Sequence, residues 1–142
     1  YLPMTRPGTF FTMASGGLGF GMPAAVGIAL AQRDRRVIAL IGDGSSMYSI
    51  QSLWSAAQLG LDVTFVVLNN GGYAAMKRHA GLLGFAPGEK VVGIAVPGIR
   101  YDQLAIAQGC PGERVTDAQG LHAVLEAALA RKGCSLVEVV IG

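Results

Sequence analysis

One strand–helix–strand pattern, between residues 37 and 70, constrains the fold of this chain more than any other feature. A Gly-Asp-Gly triplet at 42–44 follows the apolar run 37–41, and an Asn-Asn pair at 69–70 closes a second apolar run, 63–68. Short apolar runs that are rich in β-branched residues and end at Gly, Asp or Asn are typical of buried parallel strands. The span 47–59 between them has the apolar spacing of a helix. The sequence therefore predicts two parallel strands joined by a helix, with the Asp and the Asn pair at the carboxyl ends of the strands.

Asp43 and Asn70 should converge on one site if the two strands are neighbours, because ligands of open α/β sheets bind beyond the carboxyl ends of the strands. Their carboxylate and amide oxygens suit Mg²⁺, which takes oxygen ligands and leaves part of its coordination shell to phosphates. Gly44, Ser45 and Ser46 would supply backbone N–H groups and hydroxyls at the start of the next helix, where a phosphate binds favourably. Gly and Asn are also common turn residues, so either half alone would indicate only a turn. The two halves together, each after a predicted strand, favour a metal–diphosphate site.

The rest of the chain continues the alternation of helices and strands. Pro23 is predicted in the first turn of a helix that runs to about Gln32, a position that proline tolerates. Asp117 is predicted to cap a helix that runs through residue 130. The other predicted elements are a helix from Tyr73 past Met76, a Gly- and Pro-rich loop at 82–98, a helix at 101–107, and strands at 114–116 and 136–141. This order predicts an α/β fold over residues 1–142 as a single domain, with a doubly wound, mainly parallel sheet and helices on both faces.

Composition and charge exclude several classes of function. The chain has 142 residues, of which 51% are hydrophobic and 14% charged, and its net charge is +2. No basic cluster with interleaved aromatic residues is present, so nucleic-acid binding is not predicted. No apolar run reaches the length of a membrane span and no signal peptide is recognisable, so a cytoplasmic protein without membrane contact is expected. Cys110 and Cys134 lack metal-site spacing and are expected to be free thiols.

The Gly-rich segment 19–24 raises a competing interpretation. It fits the pattern G-x-G-x-x-A of dinucleotide-binding folds, and Asp43 follows about 20 residues later at the end of a predicted strand. In an NAD-binding domain Asp43 would face a ribose, but the triplet Gly44-Ser45-Ser46 and the Asn pair would then have no role. The dinucleotide motif should also follow a strand, and residues 9–13 are only a weak candidate for one. The metal–diphosphate site remains the preferred interpretation.

The pattern Gly42-Asp43-Gly44…Asn69-Asn70 resembles the cofactor motif of enzymes that depend on thiamine diphosphate (ThDP). The segments 16–25 (GGLGFGMPAA) and 52–58 (SLWSAAQ) are similar to those of the benzoylformate decarboxylase family within that group. The likeness covers nearly the whole chain and corresponds to one of the family's three domains, the carboxy-terminal diphosphate-binding domain. It implies the ThDP-binding fold, with ThDP and Mg²⁺ as cofactors. Because the chain begins at Tyr1 without an initiator Met, we expect a fragment or a processed product.

The resemblance implies how this domain would hold the rings of ThDP. The backbone carbonyl of Gly16 would accept a hydrogen bond from the 4′-amino group of the cofactor. Leu18 would lie beneath the cofactor and wedge its two rings into a bent conformation, which makes removal of the reactive proton intramolecular. Without the resemblance, Leu18 would be interpreted as an ordinary core leucine.

The same resemblance implies the metal and diphosphate contacts. Asp43 and the side-chain oxygen of Asn70 would bind Mg²⁺, and the backbone carbonyl of Gly72 would be a third ligand. Any residue type can supply a carbonyl, so glycine at position 72 is compatible with this role, and the pair Gly71-Gly72 would add flexibility to the loop that a non-Gly residue would limit. The other implied cofactor contacts are Gly42, Gly44, Ser45 and Tyr73.

Two residues on the following helix would line the substrate pocket. Ala75 and His79 are four residues apart and so share a helix face. In benzoylformate-type enzymes the matching positions line the pocket, and the second carries a bulky aromatic residue where this chain has His79. A histidine there would bind the substrate carboxylate or transfer protons near neutral pH, which makes His79 the candidate catalytic residue. The alternative is an exposed helix histidine beside Lys77 and Arg78.

The chain lacks the glutamate that activates ThDP in similar enzymes, where it lies on the amino-terminal, pyrimidine-binding domain of a neighbouring subunit. Its own glutamates, which are Glu89, Glu113, Glu126 and Glu138, lie in no comparable motif. We therefore expect a chain that is inactive alone and needs a pyrimidine-binding domain, in cis or in trans, within a homo-oligomer.

The implied function is non-oxidative decarboxylation of a small-molecule 2-oxo acid to an aldehyde. A first alternative is an acetolactate synthase-like carboligase, which would couple the activated fragment to a second carbonyl compound. A second alternative is a cofactor-binding subunit with no turnover of its own. The product, an aldehyde or a C–C-coupled acid, would separate the two enzymatic interpretations.

Overall fold

Four parallel strands form one sheet in the structure, a computed structural model that describes residues 3–86 and 89–141. They are β1 (Val37–Gly42), β2 (Val63–Asn69), β3 (Gly112–Val115) and β4 (Ser135–Val140), and their order across the sheet is β1-β2-β4-β3. β1 and β2 are hydrogen-bonded neighbours, with Val37 opposite Val63 and Gly42 opposite Leu68. The predicted parallel sheet is confirmed. The first two predicted strands are neighbours, which is the condition on which the predicted convergence of Asp43 and Asn70 depended.

Helices cover both faces of this sheet, as the doubly wound prediction requires. In chain order they are α1 (Gly21–Ala31), α2 (Asp43–Ser46), α3 (Ser52–Gln58), α4 (Ala74–His79), α5 (Tyr101–Ala107) and α6 (Ala118–Ala130), with a 3₁₀ turn at Ala80–Leu83. α1, α3 and α5 pack on one face, and α6 packs on the other. Asp117 caps α6 as predicted, because its Oδ1 accepts a hydrogen bond from the backbone N–H of Gly120 at 2.8 Å.

β2 is buried on both of its faces. Phe65 and Val67 belong to the core beneath α1, α3 and α5, whereas Val66 belongs to the core beneath α6. Full burial of a side chain such as Phe65 stabilises a fold by about 1.5–3 kcal/mol. The run of apolar and β-branched residues in this strand was predicted to result from burial, and this is confirmed, since a central parallel strand has neither face in water.

The helix predicted over 47–59 is broken in the structure. α2 ends at Ser46 and α3 begins at Ser52. Between them, the N–H groups of Tyr48 and Ser49 bond carbonyls three residues back, at 3.3 and 3.1 Å. Bonds of this spacing make a tighter turn than an α-helix. The apolar spacing predicted one continuous helix because it does not distinguish this tighter turn from an α-helix.

Smaller differences concern the ends of elements. β3 covers Gly112–Val115 instead of 114–116, and α4 starts at Ala74, one residue after its predicted start. The predicted loop 82–98 includes Pro87 and Gly88, which lie outside the described residues, as does Tyr1. The helices found within residues 3–86 and 89–141 are too short or too polar to cross a membrane.

The edge strand β1 is covered on only one face. Ala39 and Ile41 are buried beneath the first layer of helices, but Ile38 and Leu40, on the other face, are 58% and 68% exposed. Apolar residues on both faces are typical of a parallel strand that is buried on both sides. β1 therefore has the composition of a fully covered strand, although the described part of the chain covers only half of it.

Candidate functional site

Asp43 and Asn70 reach the same edge of the sheet because they follow neighbouring strands. Asp43 is the first residue of α2, directly after β1, and Asn70 directly follows β2. Asp43 is only 1% exposed, and its Oδ2 accepts a hydrogen bond from the backbone N–H of Gly72 at 2.8 Å. The carboxylate at the end of one strand thus contacts the loop at the end of the next.

The side-chain oxygen of Asn70 is buried and has no hydrogen-bond partner among the described residues. Leaving a buried polar atom unpaired costs about 1–3 kcal/mol. A cation bound beside Asp43 would remove this cost, and carboxylate and amide oxygens are hard ligands of the kind that Mg²⁺ takes. The residues present therefore fit a magnesium ion, and their assignment as its ligands stays a prediction.

The loop after β2 requires glycine at position 72. Gly72 has a φ of 153° and forms an antiparallel bridge with Ala95, and a Cβ atom added to it would collide with the carbonyl oxygen of Ile94. The N–H of Tyr73 donates to that same oxygen at 2.9 Å. Position 72 thus has a steric requirement for glycine that sequence analysis missed, and the flexibility expected of the pair Gly71-Gly72 stays a prediction. Glycine is needed because two backbone segments approach each other closely.

The predicted diphosphate contacts gather around the start of α2. The ring of Tyr73 lies against Gly44, where an added Cβ would be 2.6 Å from the ring. Ser45 Oγ accepts a hydrogen bond from the N–H of Gly19 at 3.2 Å, which joins the Gly-rich segment to α2. Gly42, at the end of β1, is the residue before α2. The fold therefore brings the predicted phosphate-binding residues and the Gly-rich segment to one edge of the sheet.

Tyr101 supports the site, and sequence analysis missed it. Its hydroxyl donates to the backbone carbonyl of Asp43 at 3.2 Å, and the Ser46 hydroxyl donates to the same carbonyl at 2.8 Å. Burial, and secondarily the charge of Asp43, raise the pKa of Tyr101 well above its usual range, so its hydroxyl stays a donor. The predicted helix at 101–107 was the only signal, since nothing local indicates a contact with a residue 58 positions away.

Leu18 is not a core residue of the described chain. It is 48% exposed, so the alternative interpretation as an ordinary core leucine is wrong. Gly16 has a φ of 64° with open space around it, a backbone conformation that favours glycine. Gly19, three residues further on, is close to Tyr48, because a Cβ atom added to Gly19 would lie 2.7 Å from the Cβ of Tyr48. Leu18 and Gly16 are thus available to a ligand, and their roles towards ThDP stay predictions.

The dinucleotide-binding alternative lacks its structural context. Residues 9–13, which the structure describes, form no strand, so the Gly-rich segment does not lie in a strand-to-helix turn. The fingerprint depends on that turn, because it directs the helix N-terminus at the pyrophosphate. In addition, Asp43 faces the Gly72 loop. The NAD-binding interpretation is therefore wrong for this chain.

Ala75 and His79, the predicted substrate-pocket residues, lie on the exposed helix α4. No residue of this helix is buried. The ring Nδ1 of His79 is hydrogen-bonded to the backbone carbonyl of Ala75 at 2.7 Å, so the two residues do share a face. Tyr73 joins α4 to the loop 70–72, and the contacts of His79 with a substrate stay a prediction.

A polar cluster built around two buried carboxylates lies beside the site, and sequence analysis did not find it. It contains Glu138, Asn69, Arg114 and Asp102, together with Arg100, whose guanidinium bonds both Asp102 oxygens at 2.9 and 2.7 Å. Part of this cluster lines a cavity of about 230 Å³ next to Asn70. The signal in the sequence was Glu138 itself, a charged residue inside an otherwise apolar strand.

Asp102 should make the stability of this region depend on pH. The Arg100 guanidinium holds the pKa of Asp102 well below its usual range. A carboxyl group whose pKa is lower in the folded state than in the unfolded state stabilises the fold at any pH above its unfolded-state pKa of about 3.9. This contribution is lost as the pH falls towards and through the pKa of the folded state. Asp102→Asn should therefore lower the free energy of unfolding by about 1–3 kcal/mol at neutral pH, with a difference that declines below about pH 4. Urea denaturation across pH measures this, with the exposed Asp34→Asn as control, and a difference of equal size in strong acid would contradict it.

Comparison with known proteins agrees with this arrangement. The family described as thiamine pyrophosphate enzyme, C-terminal TPP binding domain, matches residues 1–139, where thiamine pyrophosphate (TPP) is another name for ThDP. Benzoylformate decarboxylase of Pseudomonas aeruginosa is 44% identical over 138 residues, which cover 96% of this chain and 25% of that protein. A putative acetolactate synthase large subunit of Mycobacterium tuberculosis is 39% identical over 137 residues, which cover 93% of this chain and 27% of that protein.

A solved structure extends the likeness to three dimensions. The thiamine diphosphate-dependent 4-hydroxybenzoylformate decarboxylase of Rhodococcus jostii RHA1 has a TM-score of 0.84 and 45% identity, covering 91% of this chain and 24% of that chain. The chain spans about a quarter of the length of the curated relatives it matches. Sequence, fold and family description agree over nearly all of its residues. The chain therefore belongs to the thiamine pyrophosphate enzymes, and it corresponds to their C-terminal TPP-binding domain.

Proposed function

We propose that this chain is the ThDP- and Mg²⁺-binding domain of a 2-oxo acid decarboxylase of the benzoylformate decarboxylase type. The observation that carries the proposal is the pairing of the buried Asp43 carboxylate with the unpartnered side-chain oxygen of Asn70, at the ends of neighbouring strands. Two hard oxygens at the carboxyl edge of a parallel sheet suit a cation that bridges to a diphosphate. The proposal treats residues 1–142 as a single domain of a larger enzyme.

In this proposal the site residues of the chain bind the metal, the cofactor or the substrate and hold them in position. Asp43, Asn70 and the carbonyl of Gly72 hold the metal, while the N–H groups and the hydroxyl at Gly44 and Ser45 hold the diphosphate. Gly42 and Tyr73 complete the cofactor contacts, Gly16 accepts from the aminopyrimidine, and Leu18 supports the rings. The bound cofactor supplies the nucleophile and the electron sink that loss of carbon dioxide from a 2-oxo acid requires. Ala75 and His79 face the substrate, where His79 binds its carboxylate or moves a proton.

The activating acid–base group comes from outside the described chain. Each of its glutamates already has a partner: Glu138 bonds Asn69, Glu113 pairs with Arg131, Glu126 pairs with His122, and Glu89 accepts from the N–H of Ala86. We therefore assign the activation of ThDP to a pyrimidine-binding domain, in cis or in trans. Without that domain the chain should be inactive.

Exposed apolar residues are consistent with contact between this chain and a pyrimidine-binding domain. Leu18, Phe20 and Tyr48 are each about half exposed beside the cofactor segment, and Ile38 and Leu40 are exposed on the edge strand. Contiguous exposed apolar side chains mark surfaces that other protein segments cover. A homo-oligomer, in which a neighbouring subunit completes the site, accounts for them.

One alternative function has a specific observation in its favour. The relative from Mycobacterium tuberculosis, at 39% identity, is described as a putative acetolactate synthase large subunit, so carboligation is the competing reaction. The two reactions share the cofactor site and differ in the fate of the decarboxylated fragment. Incubation of the full-length enzyme with an aromatic and with an aliphatic 2-oxo acid separates them, because the decarboxylase releases an aldehyde and the carboligase a C–C-coupled acid.

Calorimetric titration with ThDP tests the proposed cofactor site. The full-length protein should bind ThDP in the presence of Mg²⁺ and lose most of this affinity in excess EDTA, since the metal would supply a large part of the contact between the diphosphate and the protein. The 142-residue chain should show no turnover of a 2-oxo acid under the same conditions. Binding by the full-length protein that ignores EDTA would contradict the metal site, and turnover by the 142-residue chain would contradict the need for a partner domain.

A further inference from the structure

Glu138 is a fully buried carboxylate in the middle of β4. An unpaired buried charge would be very costly, so its partners indicate why a glutamate is present. Its Oε1 accepts from Asn69 Nδ2 at 2.7 Å and from Arg114 Nε at 3.3 Å, and its Oε2 accepts from the backbone N–H of Asp102 at 3.3 Å. The shortest of these three bonds leads to the end of β2, where the metal loop begins.

Asn69 connects this carboxylate to the loop. Its Oδ1 accepts a hydrogen bond from the backbone N–H of Gly71 at 3.0 Å, on the opposite side of the amide from Glu138. An ionised carboxylate can only accept hydrogen bonds, so Glu138 must face the NH₂ group of Asn69. The carbonyl oxygen of the amide is thereby directed at Gly71. Glu138 thus determines which way the Asn69 amide is oriented.

Gly71 lies between the two loop residues that the proposed function assigns to the metal, Asn70 and Gly72. Gly72 is held from the other side, because its N–H donates to Asp43 Oδ2 at 2.8 Å. The loop is therefore anchored at two successive N–H groups, one by Asn69 and one by Asp43. The anchor at Gly71 depends on Glu138, and the anchor at Gly72 does not.

We propose that Glu138 is a positioning residue of the cofactor site: through Asn69 it holds the loop 70–72 in the shape that presents the oxygens of Asn70 and Gly72 to the metal. This inference rests on the proposed function, since it concerns the same metal. Groups that orient metal ligands from behind typically contribute about 10- to 100-fold to metal affinity. Arg114 and the N–H of Asp102 donate to the same carboxylate and complete its hydrogen bonds within the sheet.

A merely structural role predicts a different result, and the chain offers a matched control for it. Thr64 and Ser135 lie on the same two strands, at their opposite ends, and their hydroxyls are 3.0 Å apart in a buried hydrogen bond. Loss of that bond in Ser135→Ala should lower the unfolding temperature without changing metal affinity. If Glu138 only stabilised the sheet, its replacement would behave in the same way.

The test titrates the full-length protein with Mn²⁺ in place of Mg²⁺, in the presence of ThDP, with paramagnetic resonance of the bound ion as readout. Glu138→Gln and Asn69→Asp should each weaken Mn²⁺ binding by about 10- to 100-fold. In Asn69→Asp two carboxylates face each other, and in Glu138→Gln the acceptor is a weaker, neutral amide. The double variant N69D/E138Q reverses the polarity of the bond and keeps the total charge, so it should recover most of the lost affinity. If Asn69→Asp does not fold, Asn69→Ala, which removes both amide bonds without adding charge, carries the same expectation.

Two results would overturn the inference. Wild-type affinity for Mn²⁺ in the single variants would show that the loop does not depend on Glu138. A double variant as weak as the single variants would show that the bond between the two side chains is not the cause. Failure of the wild-type protein to bind Mn²⁺ and ThDP at all would instead contradict the proposed function, and so the two failures are distinguishable.

Discussion

Asp43→Ala should abolish metal-dependent binding of ThDP. Asp43 is the only carboxylate of the proposed metal site, and groups that merely orient metal ligands already contribute about 10- to 100-fold to affinity. We therefore expect the affinity for Mg²⁺ with ThDP to fall by more than about 100-fold. Calorimetric titration of the full-length protein measures it, and the exposed Asp34→Ala is the matched control for removal of one negative charge.

Loss of binding in Asp43→Ala could follow from unfolding, so a second variant separates the two causes. Asp43→Asn keeps an oxygen that can accept from the N–H of Gly72, but it removes the charge. Because the buried carboxylate is desolvated in the metal-free protein, Asp43→Asn should unfold at or above the wild-type temperature while its metal binding is lost. A variant that is both stable and binds Mg²⁺ as tightly as wild type would contradict the assignment of Asp43 to the metal.

Gly72→Ala should destabilise the protein and weaken metal binding together. The added Cβ would collide with the backbone oxygen of Ile94, and the residue would keep a φ of 153°. Holding a residue in such a conformation costs about 1–3 kcal/mol, and the collision moves the bridge to Ala95 in addition. Because the carbonyl of Gly72 is the proposed third metal ligand, any shift of the loop should also reduce the affinity for Mg²⁺. Urea denaturation and Mg²⁺ titration of the same variant measure the two effects.

Two other glycines give a graded control for this prediction. In Gly71→Ala the added Cβ meets open space. The variant should therefore be destabilised only by its left-handed φ of 74°, which lowers the free energy of unfolding by about 1–2 kcal/mol. Gly27→Ala lies in α1 with open space around it and should gain about 0.5–1 kcal/mol of stability. If Gly72→Ala were no more destabilising than Gly71→Ala, the close approach of the two backbone segments would not be the reason for glycine at 72.

The elements that sequence patterns predicted best are those whose signals are local. β1 and β2 were predicted to within one residue, because a buried parallel strand is a continuous apolar run with a polar end. The helix at 101–107 was predicted with the observed bounds, and α6 was predicted from its cap at Asp117. Each signal lies within the element or one turn outside it, so no knowledge of the fold was needed.

The predictions that failed depend on the local path of the backbone or on contacts with residues that are remote in sequence. The segment 47–51 between α2 and α3 retains helical apolar spacing, yet its backbone turns more tightly. The steric need for glycine at 72 was not predicted, because the backbone of Ile94, which excludes a side chain there, is remote in sequence. The alternative interpretation assigned Leu18 to the core because the apolar character of a residue does not indicate whether its side chain is buried in the core or exposed.

By itself, the sequence determined the strand–helix alternation, the positions of Asp43 and Asn70 at the carboxyl ends of two strands, and the likeness to ThDP-dependent enzymes. Only the tertiary structure decided that Glu138 bonds Asn69, 69 residues away, and that Tyr101 supports the backbone of Asp43. The physical reason is that strand and cap signals arise from interactions between residues close in the chain. The partners of a buried polar group depend instead on the order and register of the strands, and here β4 lies beside β2 with Val139 opposite Leu68. That register brings Glu138 next to Asn69 and the loop 70–72, and no local pattern in the chain specifies the register.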